Sequence, residues 1–206
     1  MCCFFCLYSF MANKIMNQKS ICSIGLLFFV VSYILFSMGS KAACFQKPID
    51  FAHWLNLIGA VLLFSFNRLF PKNSLGIASS LVTTLGCIAH VGLCTIDFIM
   101  WSYGDNDEAK TALSEHISNT PSILYPFVII GPSFLFIGLA MHALNFIKTN
   151  TASALMVIVG APAIGFSFFI LKNGLHMVLS SLLFALGLTL LLYRKENPKT
   201  LSEITD

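Results

Sequence analysis

The chain has 206 residues, 12 Lys+Arg, 9 Asp+Glu and a formal net charge of +3. Only 10% of its residues are charged while 57% are hydrophobic, against roughly 25% charged in an average soluble domain. So few charges cannot clothe a water-exposed surface, which excludes a disordered chain, a coiled coil, a basic nucleic-acid binder and an ordinary cytosolic enzyme, and points to lipid as the solvent.

The positions of the charges sharpen this. Six charge-free stretches separate them, at 20–40, 51–67, 73–96, 116–147, 149–171 and 173–193. A helix needs about 20 apolar residues to cross a hydrocarbon core of roughly 30 Å. The expected fold is all-α: a six-helix transmembrane bundle forming one domain over 1–206, with a short extracytoplasmic helix in the loop between the third and fourth spans. The spans are expected at 20–40, 51–70, 74–101, 123–147, 151–171 and 174–193. The runs are continuously apolar and do not alternate, so barrel strands are excluded.

Before the first span, Cys2, Cys3 and Cys6 stand in a segment without charge. They read either as an acylated cluster at the membrane or as residues ahead of a true start at Met11 or Met16. Ser40-Lys41-Ala42 has the small residues of a signal cleavage site, and cleavage there would leave five crossings. Cys44 is not placed as a lipoprotein cysteine. Cys44 and Cys94 both fall near the outer face, where they either pair or are buried as small hydrophobes.

The third span carries the most informative pattern. Gly76, Ser80, Thr83, Cys87, His90, Cys94, Asp97 and Trp101 recur at alternating gaps of three and four, one face of a helix. Ile77, Leu81, Val82, Leu85, Ile88, Val91 and Ile96 cover the rest. Lipid should meet the apolar side, so the polar stripe should face protein or a cavity. Asp97 is the one acid inside a predicted span. Placing an ionised carboxylate within a membrane helix costs about 2.5–3.5 kcal/mol at the helix centre and marks a functional hypothesis. Its partner is expected among His176, Lys172 and His53. The competing reading has Asp97 simply reaching the headgroups beside Trp101.

After this span, Asp105 and Glu108 have capping-box spacing and predict a surface helix at about 106–117, stopped before Pro121. The acidic run there lacks the later Gly and Glu of a calcium loop and reads as a solvated face. Gly131 with Pro132, and Gly160 with Pro162, predict kinks in the fourth and fifth spans. Gly76-x-x-x-Ser80 and Ala161-x-x-x-Gly165 predict helix contacts, because lipid offers no hydrophobic drive for association. His142 and Asn145, with Asn67 and Arg68, predict a polar inner end.

Lysine and arginine set the orientation. With the N-terminus inside, Lys14, Lys19, Arg68, Lys72, Lys148, Arg194, Lys195 and Lys199 are cytoplasmic, while Lys41, Lys47, Lys110 and Lys172 are outside. That two-to-one bias predicts both termini in the cytoplasm of a bacterial-type inner membrane.

No Walker loop, dinucleotide fingerprint, zinc-type Cys/His spacing or H-x-x-x-H pair occurs, so no cofactor is expected. Gly165-Phe166-Ser167-Phe168 lacks the second glycine of the rhomboid-protease G-x-S-G motif. The candidate binding residues are His53, Asn56, His90, Cys94, Asp97, Tyr125, Asn173 and His176, expected to converge below the outer surface on a small molecule or ion. Three functions compete. The first is binding or translocation of a small solute or proton, with a homodimer easing the small size. The second is a non-catalytic accessory or sensor presenting loop 102–122 to a partner. The third is an intramembrane hydrolase using His90, Asp97 and His176. The lipid bilayer is the expected partner in each, and no nucleic acid is.

Overall fold

The computed structural model describes residues 2–38 and 50–194, with side chains from Asn17 onward. Cys44, Lys41, Lys47, the Ser40–Ala42 cleavage pattern and the tail from Lys195 lie outside the described residues, as do the side chains of Cys2, Cys3 and Cys6. The described chain is helical and holds no strand.

Helix α1 runs Cys2–Ser37. It starts well ahead of the apolar run because neither Gly nor Pro interrupts residues 2–24. Helix α2 is Phe51–Leu63, followed by a turn and a four-residue helix, Phe66–Leu69. The second predicted span is therefore broken, and α2 alone extends only about 20 Å. Helix α3 is Ser74–Ser102 and the surface helix α4 is Asp107–Ser118. A π-helical stretch, Leu124–Ile129, then leads into α5, Ser133–Leu144, with a bend of 43° between the two arms. Gly131 and Pro132 occupy that bend; a Cβ on Gly131 would sit 1.6 Å from the Pro126 carbonyl oxygen. Helix α6, Thr151–Phe166, passes through Pro162 and loosens into a second π-helical stretch, Ser167–Leu171. Helix α7 is Gly174–Leu192.

Four stretches, Asn17–Ser37, α3, Thr151–Leu171 and α7, are long and apolar enough to cross a membrane, and the bent pair 121–144 makes a fifth. The elements pack in chain order: α1 on α2, α2 on α3, α3 on α5, α5 on α6, α6 on α7, and α7 back on α1. Phe136 of α5 fills the middle, with its ring centroid 5.6 Å from Phe29, 6.2 Å from His90 and 5.7 Å from Phe184.

Small residues let the backbones meet, though mostly not at the expected positions. A Cβ on Gly86 would lie 2.0 Å from the Leu135 nitrogen, and one on Gly138 would lie 2.5 Å from the Thr83 nitrogen, so α3 and α5 touch backbone to backbone. Gly59 abuts Phe29 in the same way, and Gly160 abuts Phe184. Gly76 instead packs on the carbonyl of Pro71 in its own preceding turn, and Gly165 faces open space. Close approach depends on which side of a helix meets a neighbour, which the spacing of two small residues does not reveal.

Asp and Asn start four helices by accepting a main-chain N–H three residues on: Asp50 for α2, Asn73 for α3, Asn106 for α4 and Asn173 for α7. The cap of α4 is Asn106, one residue beyond the expected Asp105. Asp107 and Glu108 then occupy the first turn, where carboxylates suit the helix dipole.

Candidate functional site

The α3 stripe faces inward. Gly76, Thr83, Cys87, His90 and Cys94 are buried, while Ile77, Leu81, Leu85, Ile88 and Val91 are exposed on the opposite side and Val82 and Ile96 are half-buried. The hydroxyl groups on this helix are satisfied within it. Ser79, Ser80, Thr83, Thr84 and Thr95 each donate to the carbonyl four residues back. His90 and Asp97 have no such local solution and need partners from other helices.

Asp97 finds His53. Its Oδ2 lies 3.3 Å from His53 Nε2, and His53 Nδ1 lies 2.5 Å from Asp50 Oδ2. One imidazole thus joins two carboxylates. Asp50 is doubly tied, because its other oxygen accepts the His53 main-chain N–H at 3.2 Å. The cap that starts α2 also orients the His53 ring one turn up the helix. Phe36 packs on that ring with centroids 4.8 Å apart, and Phe98 stands 6.3 Å away.

The contact with Asp50 is a hydrogen bond, whereas Asp97 stands at ion-pair distance from the other ring nitrogen. Ionised carboxylates only accept, so a proton on His53 Nδ1 serves Asp50. The two ring nitrogens point apart, so the carboxylates do not converge on one ion. Among the described residues no group of three or more His, Cys, Asp or Glu is arranged to hold a metal.

His53, Asn56, His90, Asp97, Lys172 and Asn173 line one cavity of about 1020 Å³. His90 sits deeper than Asp97, with Nε2 3.4 Å from Asn56 Oδ1. Its Nδ1 is buried without a hydrogen-bond partner. The remaining cavity wall is largely apolar, formed by α1, α5, α6 and the two π-helical stretches.

Of the sequence candidates, His53, Asn56, His90, Asp97 and Asn173 therefore come together. Cys94 is fully buried but does not line the cavity. Tyr125 and His176 are exposed and lie outside the lining. The His176 main-chain N–H serves the Asn173 cap. Asp50 was not among the candidates. The D-x-x-H spacing ahead of the second span was its only signal, since a cap carboxylate and a side chain three residues on share one helix edge.

A second polar cluster closes the opposite end. His142 Nε2 lies 3.0 Å from Asn67 Oδ1 and 3.4 Å from Ser80 Oγ. Asn67 Nδ2 donates to the Ser80 carbonyl at 3.3 Å, and Lys72 Nζ donates to the Asn67 carbonyl. Asn73 Nδ2 donates to Asn145 Oδ1 at 2.8 Å, tying α3 to the end of α5. The Arg194 guanidinium sits 4.1 Å from the centre of the Phe146 ring.

No family model, curated protein or solved structure matches this chain.

Proposed function

We propose that this is a six-crossing integral membrane protein that binds and moves a small solute or a proton through the polar site on α3. Four span-length helices and one bent pair support five crossings, and α2 with its following turn supplies the sixth. The observation that carries the reading is the Asp50–His53–Asp97 relay on the wall of a large helix-lined cavity. A carboxylate and an imidazole facing a cavity among lipid-soluble helices are costly to retain without use.

Charge supports the orientation. Lys19, Arg68, Lys72, Lys148 and Arg194 gather at the His142 end, whereas Lys110 and Lys172 lie toward the other with Asp50, Asp97, Asp105, Asp107, Glu108 and Glu115. The positive-inside rule then puts the basic end in the cytoplasm of a bacterial-type inner membrane and the relay on the outer side.

The test is proton uptake by liposomes that contain the purified protein and a trapped pH-sensitive dye. Wild-type protein should dissipate an imposed pH gradient, and Asp97→Asn should slow this by at least about tenfold, because an amide cannot take up and release the proton that a carboxylate can. Equal rates would overturn transport through this residue. A second reading, docking of a partner protein, draws on the exposed α4 helix, whose one buried residue is Ile117.

A further inference from the structure

A proton or a small ion does not need a cavity of about 1020 Å³, which is at the upper end of the roughly 300–1,000 Å³ typical of small-molecule pockets. Nor does a small polar solute suit its walls. Polar side chains, Lys172 among them, stand at one end, and apolar side chains run away from them along two helices.

On α5, Ser133, Ile137, Ala140, Met141 and Leu144 line the cavity from one face. Opposite them on α6 stand Ile158, Pro162 and Gly165. Ile137 is 46% and Leu144 42% exposed, and Pro162 is exposed as well, so the cleft between α5 and α6 opens sideways toward lipid. From Ser133 to Leu144 the cleft extends about 17 Å at 1.5 Å per residue. That is close to one leaflet, half of a hydrocarbon core of roughly 30 Å.

The polar end asks for donors. Asn56 Oδ1 accepts from His90 Nε2, which leaves Nδ1 as a buried lone pair with no protein partner. Asp97 gives Oδ2 to His53 and keeps 32% of its side chain exposed. Lys172 also lines the cavity and would meet an acidic head, but it is exposed, whereas His90 is buried. A head that reaches His90 and Asp97 meets acceptors there, which an amine or hydroxyl satisfies and a carboxylate or phosphate does not.

We infer that the cavity binds a long-chain amphiphile that enters from the bilayer between α5 and α6, setting an amine or hydroxyl head against His90 and Asp97 and its tail along α5. This rests on the solute-binding reading above and names the class of solute. The two π-helical stretches flank the same cavity through Val128 and Ile129 on one side and Phe168 and Phe169 on the other. Such local unwinding is frequent at functional sites.

The experiment uses the full chain in liposomes and three photoreactive probes: hexadecylamine, hexadecyl glucoside and hexadecanoic acid, each with a diazirine at the tail end. Crosslinks are mapped by peptide mass spectrometry. Hexadecylamine or hexadecyl glucoside should label α5 and α6 saturably and be displaced by its unlabelled counterpart. The stronger of the two identifies the head as amine or polyol. Asp97→Asn should weaken the hexadecylamine signal by about tenfold, one charge-assisted hydrogen bond's worth. Gly165→Leu should abolish saturable labelling by either probe; its added Cβ meets nothing within 4 Å, so the helix tolerates it.

Labelling that does not saturate, or that falls equally on the lipid-facing side of α3, would overturn the inference, as would hexadecanoic acid labelling as strongly as the amine. The two readings fail separately. Saturable labelling without any Asp97-dependent proton flux removes transport and leaves the amphiphile site. Asp97-dependent flux with unsaturable labelling removes the amphiphile and leaves the proton path.

Discussion

His53 Nε2 lies 3.3 Å from Asp97 Oδ2, and this contact joins the second helix to the third at the one acid within a predicted apolar span. Because the same ring also reaches Asp50 at 2.5 Å, the charge of Asp97 is shared through a helix cap rather than left alone among hydrocarbon. Removing the ring should therefore do more harm than removing either acid. His53→Ala strips the partner from a buried Asp50 and from Asp97 together. We expect about 2–3 kcal/mol of destabilisation, the scale for stranding charged hydrogen-bonding groups, read as a lower thermal midpoint in detergent by circular dichroism.

Asp50→Asn separates capping from charge. Asparagine also caps helices well, so α2 should persist, whereas Asp50→Ala should cost a further roughly 1 kcal/mol for the lost cap. Proton uptake in liposomes distinguishes the roles: if both variants lower uptake alike, the negative charge beside His53 is what matters.

The contact of α3 with α5 depends on two glycines. A Cβ on Gly138 would lie 2.3 Å from Thr83 Oγ1 and 2.5 Å from its nitrogen, so backbone as well as side chain would have to shift. Gly138→Ala should destabilise by about 1–3 kcal/mol. Gly165→Ala, in open space, should be neutral or slightly stabilising, since alanine favours helix over glycine by about 1 kcal/mol. Thermal unfolding of the pair side by side checks the contrast.

His142 and Asn67 offer a double-mutant cycle at the basic end. Each single change to an apolar residue should cost about 1–3 kcal/mol by leaving its partner unsatisfied. His142→Phe with Asn67→Leu should cost less than the sum of the two. Additive losses would mean that the 3.0 Å contact does not couple them.

Sidedness is testable by cysteine substitution. Lys110→Cys on α4 and Lys148→Cys after α5 should react with a membrane-impermeant maleimide from opposite sides of sealed vesicles, above the wild-type signal. Among the described side chains the native thiols Cys22, Cys87 and Cys94 are buried and should contribute little; Cys2, Cys3, Cys6 and Cys44 are replaced by Ser in the background used.

Composition and the spacing of charges by themselves determined that this chain is helical with runs long and apolar enough to cross a membrane, because charges are few and fall at the ends of those runs. The heptad-like gaps from Gly76 to Trp101 likewise told which side of α3 faces inward, since side-chain direction in a helix follows from residue number alone. Other features depend on how helices approach in space. Gly86 and Gly138 make the contact of α3 and α5, although other small residues had the same spacing credentials. His53 rather than His176 meets Asp97, because the α2 cap turns its ring toward α3 while the α7 start leaves His176 exposed. Asp50 joined the site from outside every predicted span. Pairing between side chains on different helices is set by rotation and depth of packing, and one-dimensional periodicity contains neither.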